Sequence, residues 1–158
     1  MRLSRRSEYG LRALIDLIRH QDEGPIPLAV LAARDKLPGK FLEQIMATLK
    51  HAGIVRTTLG SHGGYAIAVD PETVSLGRII RLLDGALAPL PCVSLRYSEA
   101  CSCPDEATCP LREAMIDVRD AMLDILDRET LAHLAARSGS ASIDPRGLHP
   151  DALAGLRP

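Results

Sequence analysis

All four cysteines of this 158-residue chain fall within positions 92–109, in the pattern Cys92-x8-Cys101-x-Cys103-x5-Cys109. Thiols at that density can bind zinc, hold an iron-sulfur cluster, form a regulatory disulfide, or sit buried and inert. The spacing alone leaves all four open. Pro91, Pro104 and Pro110 stand beside three of the cysteines and stiffen the loop. Pro110 suits the first position of a helix, which predicts Cys109 at the cap, where the helix dipole favours a thiolate or an anionic cluster.

Composition narrows the setting. Arg2, Arg5, Arg6, Glu8 and Arg12 break the apolar positions of the N-terminus, so it does not read as a signal peptide. No run approaches the roughly 18 apolar residues of a membrane span. A cytoplasmic protein without a membrane role is expected, and there thiols stay reduced, which favours metal or redox chemistry over a structural disulfide framework. Charge is divided along the chain: residues 1–65 carry ten Lys/Arg against six Asp/Glu, and residues 66–158 carry nine against fourteen. A basic first part suits DNA; an acidic second part suits self-association or sensing. No nucleophile-base pairing or phosphate-cradling glycine motif marks an enzyme, because Gly60, Gly63 and Gly64 sit in a hairpin turn.

The elements that must position the cysteines follow from periodicity. Leu11, Leu14, Ile15 and Ile18 recur at helical spacing, predicting a first helix that starts near Ser4 or Ser7 and ends before Asp22. Pro27 opens a short second helix over residues 28–34, which stops at Lys36-Leu37-Pro38-Gly39. Leu42, Ile45, Met46 and Leu49 then mark a third helix running to His51-Ala52-Gly53. This is a helix-turn-helix pattern. Residues 54–59 and 65–69 are strand-like and flank the glycine-rich turn, forming a hairpin, or wing. A further helix is expected over 75–83, a loop over 85–91, a long helix after Pro110, and a short last helix over 130–136. The fold class is therefore mainly α with a small β-hairpin: a winged helix-turn-helix domain (1–84), a cysteine-rich sensor loop (85–109), a dimerisation helix with a short last helix (110–137) and a mobile tail (138–158).

Two surfaces carry the expected contacts. With its apolar residues inward, the third helix presents Lys40, Glu43, Gln44, Ala47 and Lys50 outward, where Gln44 can take adenine, Glu43 the cytosine amino group, and Lys40 guanine or phosphate. Arg5, Arg6, Arg56 and His62 are candidates for phosphate or minor-groove contacts, with the wing glycines allowing close approach. On the long helix, Leu111, Met115, Val118, Met122 and Ile125 are spaced 4, 3, 4 and 3, a seam fitted either to an identical partner or to the chain's own domain.

The sequence resembles the family of winged-helix iron-sulfur transcription regulators that includes IscR, NsrR and CymR. The resemblance runs from Met1 to about Ala136. It rests on Met1-Arg2-Leu3-Ser4, Tyr9-Gly10-Leu11-Arg12-Ala13-Leu14, Leu37-Pro38 followed by Phe41-Leu42-Glu43-Gln44-Ile45, Ala52-Gly53-Ile54-Val55, Gly63-Gly64-Tyr65 and the cysteine loop. It implies a homodimer on a double-stranded DNA operator, with Gly63 and Tyr65 in the DNA-binding wing. It further implies an iron-sulfur cluster, 2Fe-2S rather than 4Fe-4S, held by Cys92, Cys103 and Cys109, with Cys101 as a spare or alternative middle ligand. Where some members have a His ligand three residues after the last cysteine, this chain has Arg112, which cannot ligate. Glu8 matches the place from which other members supply a carboxylate ligand across the dimer. Leu59 stands where the family wing often carries Arg, which puts minor-groove readout in doubt.

Overall fold

Helix α1 (Arg5–Arg19) begins where Ser4, in extended backbone, turns its hydroxyl to accept the amides of Arg6 and Ser7 at 3.1 and 3.2 Å. The computed structural model describes residues 3–60, 63–96, 99–101 and 103–137; His62 and the expected tail at 138–158 lie outside them. Within that range α2 (Leu28–Arg34), α3 (Gly39–His51), α4 (Leu76–Asp84), α5 (Pro110–Arg128) and α6 (Leu131–Ala136) follow α1. The strands β1 (Val55–Thr58) and β2 (Gly64–Ile67) lie between α3 and α4, and short 3₁₀ turns form at Gln21–Glu23, Pro71–Thr73 and Pro91–Val93.

The turn between α2 and α3 sets the angle of the helix-turn-helix. Leu37 N–H reaches back to the Ala32 carbonyl at 2.8 Å and Lys36 N–H to Ala33 at 3.3 Å, the paired bonds of a Schellman cap. Such a cap needs one residue at positive φ, and here it is Lys36 at 53° rather than glycine. The end of α3 uses the same device with Gly53 at 72°, closing Ile54 N–H onto Leu49 at 2.9 Å. Ile54 therefore belongs to the cap, and β1 starts one residue later than the apolar run suggests. The antiparallel wing pairs Val55 with Ile67 through Thr58 with Gly64.

The core joins the first described helix to the last. Leu14, Leu31, Leu42, Ile45, Met46, Leu49, Ile79 and Leu131 are fully buried in one cluster, and each such side chain contributes on the order of 2 kcal/mol. Gly10 lets α1 approach α4 and α3, since a Cβ there would stand 2.5 Å from Leu83 and 3.2 Å from Ile45. Tyr9 and Phe41 meet edge-to-face at 5.9 Å, fixing the start of α3 against α1. After α5 the backbone returns, with Leu76 N–H bonded to the Glu129 carbonyl at 2.7 Å and Leu131 N–H to Val74 at 2.9 Å. Short α6 thus closes the same core as the winged helix.

Helix α5 has two faces. Leu123 and Leu126 pack against the core, while Leu111, Val118 and Ile125, seven residues apart, are 55%, 48% and 57% exposed. Met115 is half-buried, and Met122 turns partly inward onto the core, so the seam expected from spacing is shared between two surfaces. Among the described residues no helix is long and apolar enough to cross a membrane.

Candidate cysteine centre and nucleic-acid interface

The cysteine segment has little regular structure, and a few side chains hold it. Cys92 and Val93 are buried in the Pro91–Val93 turn. From α5, Arg119 donates to the Val93 carbonyl at 2.8 Å while Asp120 holds its guanidinium at 2.7 Å. This pins the first cysteine to the long helix. At the other end, Asp105 accepts the Thr108 hydroxyl at 2.6 Å and the Ala107 amide at 2.9 Å, bonds that hold its carboxyl below the usual carboxylate range. Cys109 caps α5 with Pro110 next, as expected, and its side chain makes no capping bond.

Cys92, Cys101, Cys103 and Cys109 all line one cavity of about 260 Å³, with Leu90, Glu99 and Arg112 among its other walls. Cys103 lies in the middle: its Sγ is 3.4 Å from that of Cys109, and its N–H donates to Cys101 Sγ at 3.4 Å. Hydrogen bonds first to Cys101 and then to Cys109 keep Cys103 protonated, pushing it up to about 12. The same contacts, from the Cys103 thiol first and its amide second, stabilise the Cys101 thiolate and lower its pKa. Burial, followed by proximity to Cys101, pushes the Cys92 thiol up.

Four soft sulfurs around one cavity suit an iron-sulfur cluster in donor type and number. As arranged, however, no group of three or more His, Cys, Asp or Glu side chains among the described residues could hold a metal ion. Glu8 does not line this cavity. It is half-exposed on the first turn of α1, 3.8 Å from Arg12. Arg112, where some relatives of the resemblance carry a His, lines the cavity and faces Glu106 at 3.3 Å.

On α3, Leu42, Ile45, Met46 and Leu49 are fully buried, which leaves Lys40, Glu43, Gln44, Ala47 and Lys50 exposed on the outer face, as the spacing predicts. Arg5 and Arg56 are exposed, and Arg5 stacks near Tyr9 with a 3.1 Å bond to its hydroxyl. Arg6 differs: half-buried, it donates to Thr48 Oγ1 at 2.7 Å, bracing α1 against α3. Gly63 is half-buried. Tyr65 is also tied inward, exchanging backbone hydrogen bonds of 2.9 and 2.8 Å with Ile26 while its ring packs on the core. It ties the turn-proximal part of β2 to the body of the domain, while Leu59, 94% exposed, stands at the wing's outer end.

Sequence reasoning missed Arg119. Its partner carbonyl is 26 residues away, and nothing in its local pattern distinguishes it from a solvated arginine.

A helix-turn-helix with an outward polar helix and a short antiparallel wing defines the winged-helix transcription regulators. The chain belongs to the Rrf2 family: residues 3–137 match the model described as "Iron-dependent Transcriptional regulator". It is 33% identical over 144 residues to an rrf2-like HTH-type regulator of Rhodobacter capsulatus, covering 89% of this chain and 96% of that protein. Two solved structures are similar. CymR, the global cysteine regulator of B. subtilis, has a TM-score of 0.73 and 33% identity, covering 87% of this chain and 98% of that one. IscR of T. potens has a TM-score of 0.67 and 30% identity, covering 85% of each chain. These relatives are transcription regulators, not enzymes.

Proposed function

We propose that this protein is a cytoplasmic, homodimeric repressor whose operator affinity is set by an iron-sulfur cluster, 2Fe-2S in type, that responds to redox state, iron supply or nitric oxide. The observation that carries the reading is the convergence of all four cysteines on one cavity. Cys92, Cys103 and Cys109 are the cluster ligands from one subunit, with Cys101 as the alternative middle ligand, and Glu8 reaches across from the partner subunit. When bound, the cluster supplies a one-electron or ligand-exchange response. The protein's part is to translate it. Cys92 is clamped through Val93 to Arg119 on α5, and Cys109 begins the same helix, so a change at the thiols bears directly on the helix that carries the exposed Leu111, Val118 and Ile125. Those residues, with Met115 and Met122, form the dimer contact. Lys40, Glu43, Gln44 and Lys50 read the major groove, and Arg5, Arg6, Arg56, His62 and the Gly63-Tyr65 region position the protein on the duplex.

The test is anaerobic purification of the wild type and of Cys92→Ser, Cys109→Ser and Glu8→Ala. The wild type is expected to be coloured, with sulfur-to-iron absorption that Cys92→Ser and Cys109→Ser abolish and Glu8→Ala shifts. An unaltered spectrum and redox response in Glu8→Ala removes Glu8 from the ligand set.

One observation favours a second reading, a cluster-free regulator with a thiol switch. The Cys103 and Cys109 sulfurs already lie 3.4 Å apart, which makes this pair, rather than only the sequence-adjacent Cys101 and Cys103, available for a disulfide. Similarity to a cysteine regulator is compatible with it. That reading predicts a colourless protein whose DNA binding changes with thiol oxidation.

A further inference from the structure

Three arginines converge on a cleft outside the cysteine centre. Arg78 and Arg81 of α4 and Arg96 of the segment following Cys92 border a cavity of about 600 Å³ whose remaining walls include Ile54, Leu82 and Asp127. Arg81 is paired with Asp127 and mostly buried. Arg78 and Arg96 are exposed and have no carboxylate partner among the described residues. Three guanidinium groups against one carboxylate leave a local excess of two positive charges. The first turn of α4, capped by Ser75 on the Arg78 amide at 3.1 Å, borders the same space and adds the positive end of its dipole.

The position of the cleft separates it from the base-reading surface. It touches α3 only beyond its C-terminal end, at Ala52, about 18 Å along the helix axis from Lys40 at 1.5 Å per residue. A second cavity of about 250 Å³ shares Arg81, Arg96 and Asp127 and continues to Ser94 and Leu95, next to the Cys92 turn. The charged cleft therefore lies between the cysteine segment and the body of the winged helix.

We infer that this cleft is a binding site for a small phosphate monoester, its phosphoryl group held by Arg78, Arg81 and Arg96 and its carbon portion against Leu82 and Ala52. Several arginines bordering one cleft suit a tetrahedral group with three acceptor oxygens better than a planar carboxylate with two. The charge excess matches a dianion, and the apolar wall leaves a place for the ester's organic part. The inference does not depend on the cluster reading.

The test uses the full-length protein, with inorganic phosphate and phenyl phosphate as probes at constant ionic strength. Phenyl phosphate should bind saturably by calorimetry and raise the melting temperature, inorganic phosphate more weakly, and phenol not at all. Arg78→Ala and Arg96→Ala, exposed positions without a carboxylate partner among the described residues, should each weaken phenyl phosphate binding about tenfold or more, with operator affinity in phosphate-free buffer unchanged. Three results overturn the inference: no saturable binding at millimolar probe, binding indifferent to both substitutions, or variants that instead lose operator affinity with a shallower salt dependence. The last would make these arginines contacts to DNA phosphates.

Discussion

The winged-helix half and the cysteine segment are built on opposite terms. From α1 to α4 the chain is held by a continuous apolar core in which Leu14, Leu42, Ile45, Met46 and Leu49 have no solvent exposure, and by serine caps at the starts of α1 and α4. Between α4 and α5, among the described residues, only Leu87, Cys92 and Val93 are buried apolar residues, and the backbone is held by contacts such as Arg119 to Val93 and Asp105 to Thr108. Packed cores resist change, whereas segments with few apolar contacts open at low free energy. The first half is suited to presenting a fixed surface to DNA, and the second to altering shape when its thiols change state.

The two regions should respond differently to truncation. Leu42→Ala is expected to lower stability by about 3 kcal/mol in denaturant titration, whereas Leu95→Ala, at a position 70% exposed, should stay within about 0.5 kcal/mol. Equal losses would show that the cysteine segment is part of the cooperative core.

The thiols should also differ from one another in reactivity. In reduced, metal-free protein, Cys101 should alkylate at least about tenfold faster than Cys103 at pH 7, because the hydrogen bonds that favour one thiolate keep the other protonated up to about 12. At pH 9 Cys101 should still be the faster of the two, with Cys103 almost wholly protonated. Equal rates read by mass spectrometry would mean that Cys103 does not donate to its neighbours.

On the rigid side, Gln44→Ala is expected to relax preference at a single base pair in a binding-site selection, and Arg56→Ala to weaken all sequences while reducing the salt slope by about one. An unchanged selected sequence for Gln44→Ala would reject its role in base readout. The smallest effect concerns the turn between α2 and α3. Lys36→Gly should raise stability by about 0.5 to 1 kcal/mol by relieving a side chain at positive φ, and a loss measured by thermal unfolding would show that Lys36 contributes elsewhere.

The same division decided what the residues alone could tell. The bounds of α2 and α3 were legible because Pro27, Pro38 and Gly53 punctuate clear helical periods. Cys109 at the cap of α5 followed from Pro110. The contact of Arg119 with Val93, the inward turn of Tyr65 and the shared allegiance of Met122 arise from partners distant in sequence, and spacing carries no trace of them. The gathering of the cysteines could be anticipated from their density, while the central place of Cys103 depends on how the loop folds back onto α5.

Control of the winged helix by the cysteine segment, through an inorganic centre, is a proposal with a direct test. Its most direct measurement is operator affinity of anaerobically purified protein, with iron and acid-labile sulfide quantified in the same sample, before and after controlled oxidation. Stoichiometric iron and sulfide are expected, with an operator affinity that changes as the cluster is oxidised or lost. Protein free of iron and sulfide that occupies its operator equally under every redox condition would contradict it.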